Sequence, residues 1–463
     1  MLIGSVVLYF AITIIIGFIA SRRISDTADF INTGRNLHPA VNSAALFALW
    51  FGSETIFGAS SEFAASGFLG VIEDPFGGVL CLLLVGLVYS RKLYRLNIYT
   101  IGDIFRKNYG KNTELLSSSL MVVSFFGYAA AQMVALGLIV QTLSGLSLYM
   151  AILLSATAVI LYTFTGGMWA VSLTDFLQSI LIVIGLVVIV WIVSGNAGGP
   201  MQILKSIPDG HLKFFPENTA SSWTNWLAAW MVLGVGSVVS QDVFQRVNSA
   251  RSEKAAFYST LAGAGLYLLL AMLPLYLIAA IRVINPEILN GDLQLALPNL
   301  VLQTMPQWVQ ILFFGALLSA IMSTCSGALL APASLLSENI FKHRFFKELN
   351  KKNSLLLTRM CVCVVGLISL GLAFGSQNIF HLVGQASIFG LVSIFMPFTA
   401  ALFWNHQSAT GAWASMILGS VVWFFFNFIY PIEIEALIPG TLASAGGLWL
   451  GTVFDNRRKK LPR

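Results

Sequence analysis

The sequence contains few charged residues for its length. Of its 463 residues, 10% are Asp, Glu, Lys or Arg, whereas soluble domains average about 25%. The mean hydropathy is +0.81. These values exclude an ordinary soluble protein and predict a polytopic membrane protein. The net charge of +6 therefore does not by itself indicate nucleic-acid binding, and no nucleic-acid partner is predicted.

Cysteine and histidine are also scarce. The four cysteines fall within apolar runs, and Cys361 and Cys363 lie on different sides of a helix, so neither a disulfide framework nor a zinc pattern is supported. The five histidines are scattered singly. No pairing of a nucleophile with a base can be recognised. The sequence gives no reason to expect an enzyme, a catalytic residue or an organic cofactor.

Apolar runs long enough to cross a bilayer recur along the whole chain. A span needs about 20 mainly apolar residues. The run 2–20 lacks a basic stretch before it and has two arginines after it, which is the wrong order for a cleaved signal peptide, so we expect a retained helix. The thirteen predicted spans are 2–20, 39–69, 74–96, 115–143, 147–165, 172–194, 222–243, 255–283, 306–340, 355–375, 379–403, 409–429 and 436–454.

The basic residues predict the orientation of these spans. If the N-terminus lies outside, the cytoplasmic segments are 21–38, 91–114, 166–171, 244–254, 341–359 and 455–463. All but three of the 26 Lys and Arg residues then lie inside, the exceptions being Lys205, Lys213 and Arg282. Cytoplasmic loops carry such an excess of basic residues. We expect an outer N-terminus, a cytoplasmic C-terminus and a multi-pass protein of the plasma (cell inner) membrane.

Two of the predicted spans are interrupted near their middle. The span 39–69 contains ALWFGSETIFG at 48–58, where Gly weakens the helix and Ser and Thr can bond to the backbone instead of continuing it. Glu54 at this depth is costly in lipid and should face a cavity or a polar partner. Five spans later, 222–243 contains Gly234 and Gly236. Corresponding breaks in two halves indicate an inverted-repeat transporter; the alternative is a kinked structural helix in which Glu54 caps a neighbour.

A hydroxyl pair lies in the ninth predicted span, which reads LLSAIMST at 317–324. Ala320, Ser323 and Thr324 are spaced i, i+3, i+4 and therefore share one helix face. Two hydroxyl oxygens, together with carbonyls freed by the broken helix, make an oxygen-only cage that suits Na⁺. The alternative is that Ser and Thr bond to their own helix or to a neighbouring one.

Three motifs together resemble the sodium:solute symporter family: GRNL at 34–37, YTFTGGMWAVSLTDFLQ at 162–178 and LLSAIMST at 317–324. The resemblance implies an all-α membrane protein of thirteen transmembrane helices with the LeuT-type fold, a five-plus-five inverted repeat with one extra helix before it and two after. The implied regions are 1–38 (leading helix and cytoplasmic loop), 39–194 (first repeat), 195–221 (outer loop), 222–403 (second repeat) and 404–463 (two helices and a basic tail).

The resemblance also implies a sodium site. Its ligands would be the carbonyls of Ala48, Phe51 and Ala320 and the hydroxyls of Ser323 and Thr324. The implied function is Na⁺-coupled import of a small solute by alternating access. Na⁺ is then the coupling ion, and solute and lipid bilayer are the partners, with no obligate protein partner.

Asp175 matches a family aspartate that is associated with ion release. A carboxylate near a helix N-terminus is also favoured by the helix dipole alone. Both interpretations of Asp175 therefore stay open from the sequence.

Within the family, the choline-transporter branch is the most similar. The resemblance rests on VFQRV at 243–247 and YAAA at 128–131, and Trp50 and Tyr128 stand where that branch has site aromatics. Aromatic rings attract quaternary ammonium groups through cation–π interactions. However, Ser240 and Gly78 replace two other aromatics of that branch, so the predicted cage is incomplete.

The expected solute follows from these differences. Glu54 adds a negative charge beside the site and could pair with an amine, or be protonated and donate a hydrogen bond. We therefore expect an organic amine or an amino acid, with choline as the alternative and a solute sensor without net flux as a second alternative. The predicted substrate residues are Trp50, Gly52, Ser53, Glu54, Thr55, Tyr128, Gln132, Ser237, Ser240 and Gln241.

Overall fold

The computed structural model describes residues 24–342, 345, 349–375 and 378–460, and before these only positions 4, 8, 11, 12, 15, 18, 19 and 22. The predicted first span, 2–20, therefore lies largely outside the described residues, as do the last three residues of the basic tail. Within the described residues the chain is helical, and its only β feature is one isolated bridge between Leu37 and Ala250.

We number the helices of the described residues in chain order. They are α1 (Thr27–Asn32), α2 (Pro39–Trp50), α3 (Ala59–Ser66), α4 (Gly78–Leu84), α5 (Ser90–Leu96), α6 (Ile101–Tyr109), α7 (Lys111–Ser144), α8 (Leu148–Asn196), α9 (Pro200–Lys205), α10 (Ala220–Gly236), α11 (Gln241–Ser249), α12 (Glu253–Ile284), α13 (Ala296–Thr304), α14 (Gln307–Leu335), α15 (Lys351–Gly375), α16 (Ile379–Gly390), α17 (Met396–Phe403), α18 (Ala409–Phe424) and α19 (Leu437–Lys460). Short 3₁₀ or π turns join several of them, at Thr33–Arg35, Glu54–Gly58, Gly67–Val71, Ile72–Gly77, Val85–Tyr89, Ser237–Val239, Pro286–Asn290, Leu293–Leu295, Leu336–Phe341, Leu391–Phe395 and Phe425–Ile429.

The prediction of a polytopic membrane protein is confirmed. Among the described residues, nine helices are long and apolar enough to cross a membrane, or ten if the bent pair Ala220–Val239 and Gln241–Ser249 counts as one span. These nine do not map one to one onto the predicted spans. The continuous stretch Glu54–Leu96 takes in parts of two predicted spans, and Leu148–Asn196 takes in two more.

The connection between the fifth and sixth predicted spans is shorter than the sequence predicts. The sequence predicts a cytoplasmic segment at 166–171, but helical geometry is lost only at Gly167, where φ is 48° and ψ is −154°. Glycine adopts a positive φ without steric cost. A side chain at this position would also overlap the ring of Phe30 in α1. The two helical halves of α8 therefore meet at a single residue, which the packing of α1 also requires to be small.

Both spans that the sequence predicts to be interrupted contain a break in helical geometry. Helix α2 ends at Trp50, and Phe51 leaves helical geometry (φ −78°, ψ 73°). The second break lies at Ser240, which is extended (φ −76°, ψ 127°), and not at the predicted Gly234 and Gly236, which remain within α10. Helices α10 and α11 are bent by 56° across it. Each of the two spans predicted to be interrupted therefore contains a break, which the inverted-repeat interpretation requires.

The packing of α14 brings the two breaks and the hydroxyl pair together. Helix α14 packs on α7 and α8, and it also contacts α2 and α11. The two broken segments are tied at one end, where the Leu37 N–H donates to the Ser249 carbonyl at 2.9 Å and the Arg251 N–H donates to the Leu37 carbonyl at 3.1 Å. The fold thus fixes both breaks against one buried helix.

Candidate functional site

The break after α2 lies directly against the hydroxyl pair of α14. The hydroxyl oxygen of Thr324 lies 3.0 Å from the carbonyl oxygen of Ala48 and 3.1 Å from that of Ala320. A Cβ added to Gly52 would lie 2.7 Å from the same hydroxyl oxygen, so the break can approach Thr324 this closely only because residue 52 has no side chain. The hydroxyl of Thr324 is therefore within hydrogen-bonding distance of the carbonyl oxygens of two other predicted sodium ligands.

The other two predicted ligands lie beside these three. Phe51 is the residue at which the backbone leaves helical geometry, so its carbonyl is not committed to the regular ladder of α2. Ser323 is 1% exposed, and its hydroxyl donates to Oδ1 of Asp175. A hydroxyl that donates in one direction keeps its lone pairs free for a cation. The donor set, carbonyl and hydroxyl oxygens in a buried site, fits Na⁺.

Asp175 takes part in a buried ion pair next to this group. Its Oδ2 lies 3.4 Å from Nη2 of Arg246, and both side chains are 0% exposed. The Nε of Arg246 donates to the carbonyl of Ala45 in α2 at 2.9 Å. Arginine suits such a position because it stays charged and presents several donors in a rigid fork. The pair links α8, α11 and α2 immediately beside Ser323.

A cavity opens on the other side of Thr324. Its volume of about 70 Å³ corresponds to about five to seven water positions at roughly 10–15 Å³ each. The cavity lies between the two breaks and the facing surfaces of α7 and α16. Its wall consists of Leu49, Trp50, Gly52, Glu54, Met121, Ser124, Phe125, Tyr128, Gln132, Leu233, Gly236, Ser237, Val239, Ser240, Asp242, Val243, Thr324, Val383, Ala386, Ser387 and Gly390.

Seven of the predicted substrate residues line this cavity. They are Trp50, Gly52, Glu54, Tyr128, Gln132, Ser237 and Ser240. Thr324, predicted as a sodium ligand, lies in the same wall. The predicted ion and solute residues therefore share one boundary, formed by the α2 break and the middle of α14.

Three predicted substrate residues, Ser53, Thr55 and Gln241, are placed elsewhere. Gln241 lies beside the start of α6: its Oε1 accepts from the N–H of Ile101, the first residue of α6, at 2.8 Å, and its Nε2 donates to the carbonyl of Tyr99 at 3.4 Å. Because the break falls at Ser240, Gln241 is the first residue of α11 and points to this loop rather than into the cavity.

Ser53 and Thr55 support the cavity wall from behind. The Ser53 N–H donates to Oε1 of Gln132 at 3.3 Å and so fixes one of the lining residues. The Thr55 hydroxyl lies 2.9 Å from Oδ2 of Asp74 and 2.7 Å from the hydroxyl of Tyr267. Both residues hold the break in place without facing the solute space.

Tyr267 of α12 packs behind Trp50, next to Gly78, where the sequence lacks an aromatic residue; it supports Trp50 but is not itself part of the cavity wall. Its ring centroid lies 6.1 Å from that of Trp50. A Cβ added to Gly78 would approach Trp50 within 2.8 Å and Tyr267 within 2.9 Å. The two rings therefore occupy the space that a larger residue at position 78 would need, and Trp50 is held against the cavity by aromatic packing.

Two acidic residues near the cavity were not predicted. Asp242 lines the wall, and its carboxylate accepts from the Val243 N–H at 2.8 Å and from the hydroxyl of Ser240. Asp74 is 1% exposed and accepts from the hydroxyls of Tyr267 and Thr55. Their sequence signal was a carboxylate inside or beside an apolar run, the same signal that identified Glu54.

Two polar atoms at the cavity wall have no described partner. These are Nε1 of Trp50, which can only donate, and Oε1 of Glu54, a carboxylate oxygen. Buried polar groups are normally hydrogen-bonded. The site therefore offers an unused donor and an unused acceptor to a ligand.

Among the described residues, no group of three His, Cys, Asp or Glu side chains is arranged to hold a metal ion.

Comparisons with known proteins agree on one family. The model of the sodium:solute symporter family matches residues 30–419. The chain is 27% identical over 460 residues to the high-affinity proline transporter PutP of Bacillus subtilis (strain 168), and the match covers 93% of each chain. It is 25% identical over 456 residues to the high-affinity choline transporter 1 of Caenorhabditis elegans, covering 91% of this chain and 77% of the relative.

A solved structure shares the fold. It is the substrate-bound, outward-open state of a Na⁺-coupled sialic acid symporter, which matches with a TM-score of 0.85 at 17% identity and covers 98% of both chains. The similarity therefore extends over almost the whole length of this chain.

Proposed function

The chain belongs to the sodium:solute symporter family, and we propose that the solute it imports together with Na⁺ is an organic amine or an amino acid. Membership makes the protein a Na⁺-coupled symporter of a small organic solute, with Na⁺ as its coupling ion. It is a multi-pass protein of the plasma membrane and has the LeuT-like transporter fold.

One observation carries the choice of solute: the cavity presents Oε1 of Glu54 and Nε1 of Trp50, both without described partners. An ammonium group supplies the positive charge and the donors that a carboxylate needs. An oxygen acceptor on the same solute would satisfy the indole N–H. An amino acid or an amine with a hydroxyl or carbonyl oxygen carries both groups, and the small cavity volume favours a compact molecule.

Choline is the alternative solute. Trp50, Phe125 and Tyr128 line the cavity, and Tyr267 packs against Trp50. These rings would attract a quaternary ammonium group through their faces. A quaternary ammonium has no N–H to donate to Glu54, so it would use the charge of that carboxylate without hydrogen bonds.

For the coupling ion we propose the site formed by Ala48, Phe51, Ala320, Ser323 and Thr324. The support is the short distances from the Thr324 hydroxyl to two of the carbonyls and the location of Thr324 in the cavity wall. Asp175 would assist ion release, because its carboxylate accepts a hydrogen bond from the hydroxyl of Ser323 and would draw that oxygen away from the cage. In the cavity, Trp50, Gly52, Glu54, Tyr128, Gln132, Ser237 and Ser240 would contact the solute, whereas Ser53, Thr55 and Gln241 would act indirectly.

We also propose the full topology. Thirteen helices would span the membrane, with the N-terminus outside and the C-terminus in the cytoplasm. Two features support this count: α8 consists of two helical halves that meet at Gly167, and the broken span begins with the separate helix Pro39–Trp50. The proposed regions are 1–38, 39–194, 195–221, 222–403 and 404–463, in the order leading helix, first repeat, outer loop, second repeat and C-terminal helices.

Transport would occur by alternating access, in which the site for Na⁺ and solute opens first to one side of the membrane and then to the other. We expect no enzymatic activity, nucleic-acid partner or obligate protein partner.

The test is thermal unfolding of the purified protein with a panel of solutes, including proline, ethanolamine, choline and a sugar, in Na⁺ and again in K⁺. A ligand at a hundredfold excess over its Kd stabilises the folded state by about 2.7 kcal/mol. We expect an amine or amino acid to stabilise the protein in Na⁺ and much less in K⁺. Stabilisation by the sugar alone, or by no nitrogen-containing solute, would refute the proposal.

A further inference from the structure

Two carboxylates beside the α2 break, those of Asp74 and Glu54, differ in their hydrogen-bond partners. Asp74 accepts hydrogen bonds at both oxygens, from Tyr267 and from Thr55. Glu54 follows the break directly, is 7% exposed, lines the cavity and has no described partner for Oε1. Asp74 therefore occupies a site suited to a carboxylate anion, whereas Glu54 does not.

Further negative charge surrounds Glu54. Asp74 and Glu73, from the segment before α4, interact electrostatically with it. The Oε1 of Glu73 also has no described partner, and it lies so close to α16 that a Cβ on Gly384 would approach it within 2.7 Å. Among the described residues, none of these three carboxylates forms an ion pair.

The other titratable groups that interact with this cluster do not balance it. Tyr267 of α12 and Tyr128 of α7 interact with Glu54, and both are neutral phenols in their ordinary state. Glu62 of α3 and Glu435, which precedes α19, add negative charge near Glu73. The buried basic group near the cavity, Arg246, is paired with Asp175 beside the proposed sodium site.

We propose that Glu54 carries a proton in the solute-free protein and that a positively charged solute binds there in exchange for this proton. The proposal deepens the proposed function and rests on it. A buried charge without a partner is too costly to persist, and such a group neutralises instead. The positive charge of the solute would remove that cost.

The exchange balances in atoms and charge. The O–H bond of the Glu54 carboxylic acid breaks, and its proton passes to water in the cavity. The resulting carboxylate then faces the ammonium group, accepting N–H hydrogen bonds where the solute has them. One positive charge enters the site and one leaves, so the charge of the cluster does not change on binding. The ligand class that this requires is an organic cation, or the ammonium end of a zwitterion.

Proton release on binding is the first measurement. Ethanolamine hydrochloride, choline chloride and proline are added in turn to the purified protein at pH 7 in weak buffer with saturating Na⁺, and a pH indicator records the protons. We expect about one proton per bound ligand, as linkage requires when a bound group loses its proton. Glu54→Gln should bind about tenfold more weakly or worse and release no proton. Glu62→Gln, which changes a carboxylate on α3 outside the cavity wall, should release the same amount as the wild type.

A second measurement needs no ligand. Infrared spectra of the solute-free protein at pH 7 should contain the band of a protonated carboxylic acid. Glu54→Gln should lower the intensity of this band by the contribution of one carboxyl group, and Glu62→Gln should leave it unchanged; equal bands in Glu54→Gln and the wild type would overturn the proposal. Absence of that band in the wild type would overturn the proposal, as would solute binding without proton release. Any of these results, obtained with Na⁺-dependent stabilisation intact, would leave the proposed function standing. If Glu54→Gln does not fold, the alternative test uses the wild type: the carboxylic acid band should decrease when a binding solute is added.

Discussion

Removing the hydroxyl of either Ser323 or Thr324 in α14 should weaken Na⁺ binding. In Thr324→Ala the cage loses an oxygen that lies 3.0 Å and 3.1 Å from two carbonyl oxygens of the same site. A hydrogen bond to a charged group is worth about 1.5–3 kcal/mol, and we take the contact of a hydroxyl oxygen with Na⁺ to be similar. Since 1.4 kcal/mol corresponds to tenfold in an equilibrium constant, the Na⁺ concentration for half-maximal uptake should rise roughly 10- to 100-fold. Ser323→Ala should act in the same direction.

The matched control is Ser319→Ala. Ser319 is a buried residue of the same helix, but its hydroxyl donates to the carbonyl of Gly315 at 2.7 Å, within its own helix. Its loss should change stability by a similar amount without changing Na⁺ dependence. The assay is a Na⁺ titration of uptake into proteoliposomes at equal protein amounts, accompanied by a Na⁺ titration of thermal unfolding. Wild-type Na⁺ dependence in both Thr324→Ala and Ser323→Ala would refute the proposed cage.

Two further substitutions test the neighbouring structure. Asp175→Asn leaves the buried guanidinium of Arg246 without its counter-charge, so we expect a loss of about 3–5 kcal/mol of unfolding free energy, seen in denaturant or thermal melts; a stability equal to wild type would show that water or another group balances Arg246. Gly78→Ala places a methyl group within 3 Å of both Trp50 and Tyr267, and overpacking of this kind costs about 1–3 kcal/mol. Solute affinity should fall while the Na⁺ dependence of thermal stability is retained, and an unchanged solute affinity would mean that the position of these rings does not matter.

The broken helix and the hydroxyl pair could be predicted because their signals are local. Gly52 and Ser53 interrupt an apolar run within one helical turn, and the i, i+3, i+4 spacing of Ala320, Ser323 and Thr324 fixes a shared face from geometry alone. The second break was predicted in the right helix but a few residues early. There the bend depends on the extended backbone of Ser240, and a serine in the sequence does not by itself indicate an extended residue. The two glycines were misleading because glycine is common in membrane helices without breaking them.

The rest of the site depends on contacts between distant parts of the chain. Tyr267 reaches Asp74 across 193 positions, and neither residue has a motif that marks it. Gln241 was predicted as a solute contact because it lies in the second interrupted span, but the direction of its side chain is set by the backbone of Ile101 and Tyr99. Sequence reasoning identifies which polar residues interrupt apolar spans; which of them share a cavity is decided by packing.

The placement of Thr324 suggests how ion and solute binding are coupled. This residue belongs to both the proposed sodium cage and the cavity wall, and Gly52 touches it from the break. Na⁺ bound to the Ala48 and Thr324 oxygens would fix the break in one conformation, and with it Trp50 and Glu54 on either side of Gly52. Because a coupling free energy acts equally on both ligands, a solute that orders Glu54 must tighten Na⁺ binding by the same factor. The coupling is therefore expected to lie in the backbone between residues 48 and 54 and needs no direct contact between solute and ion.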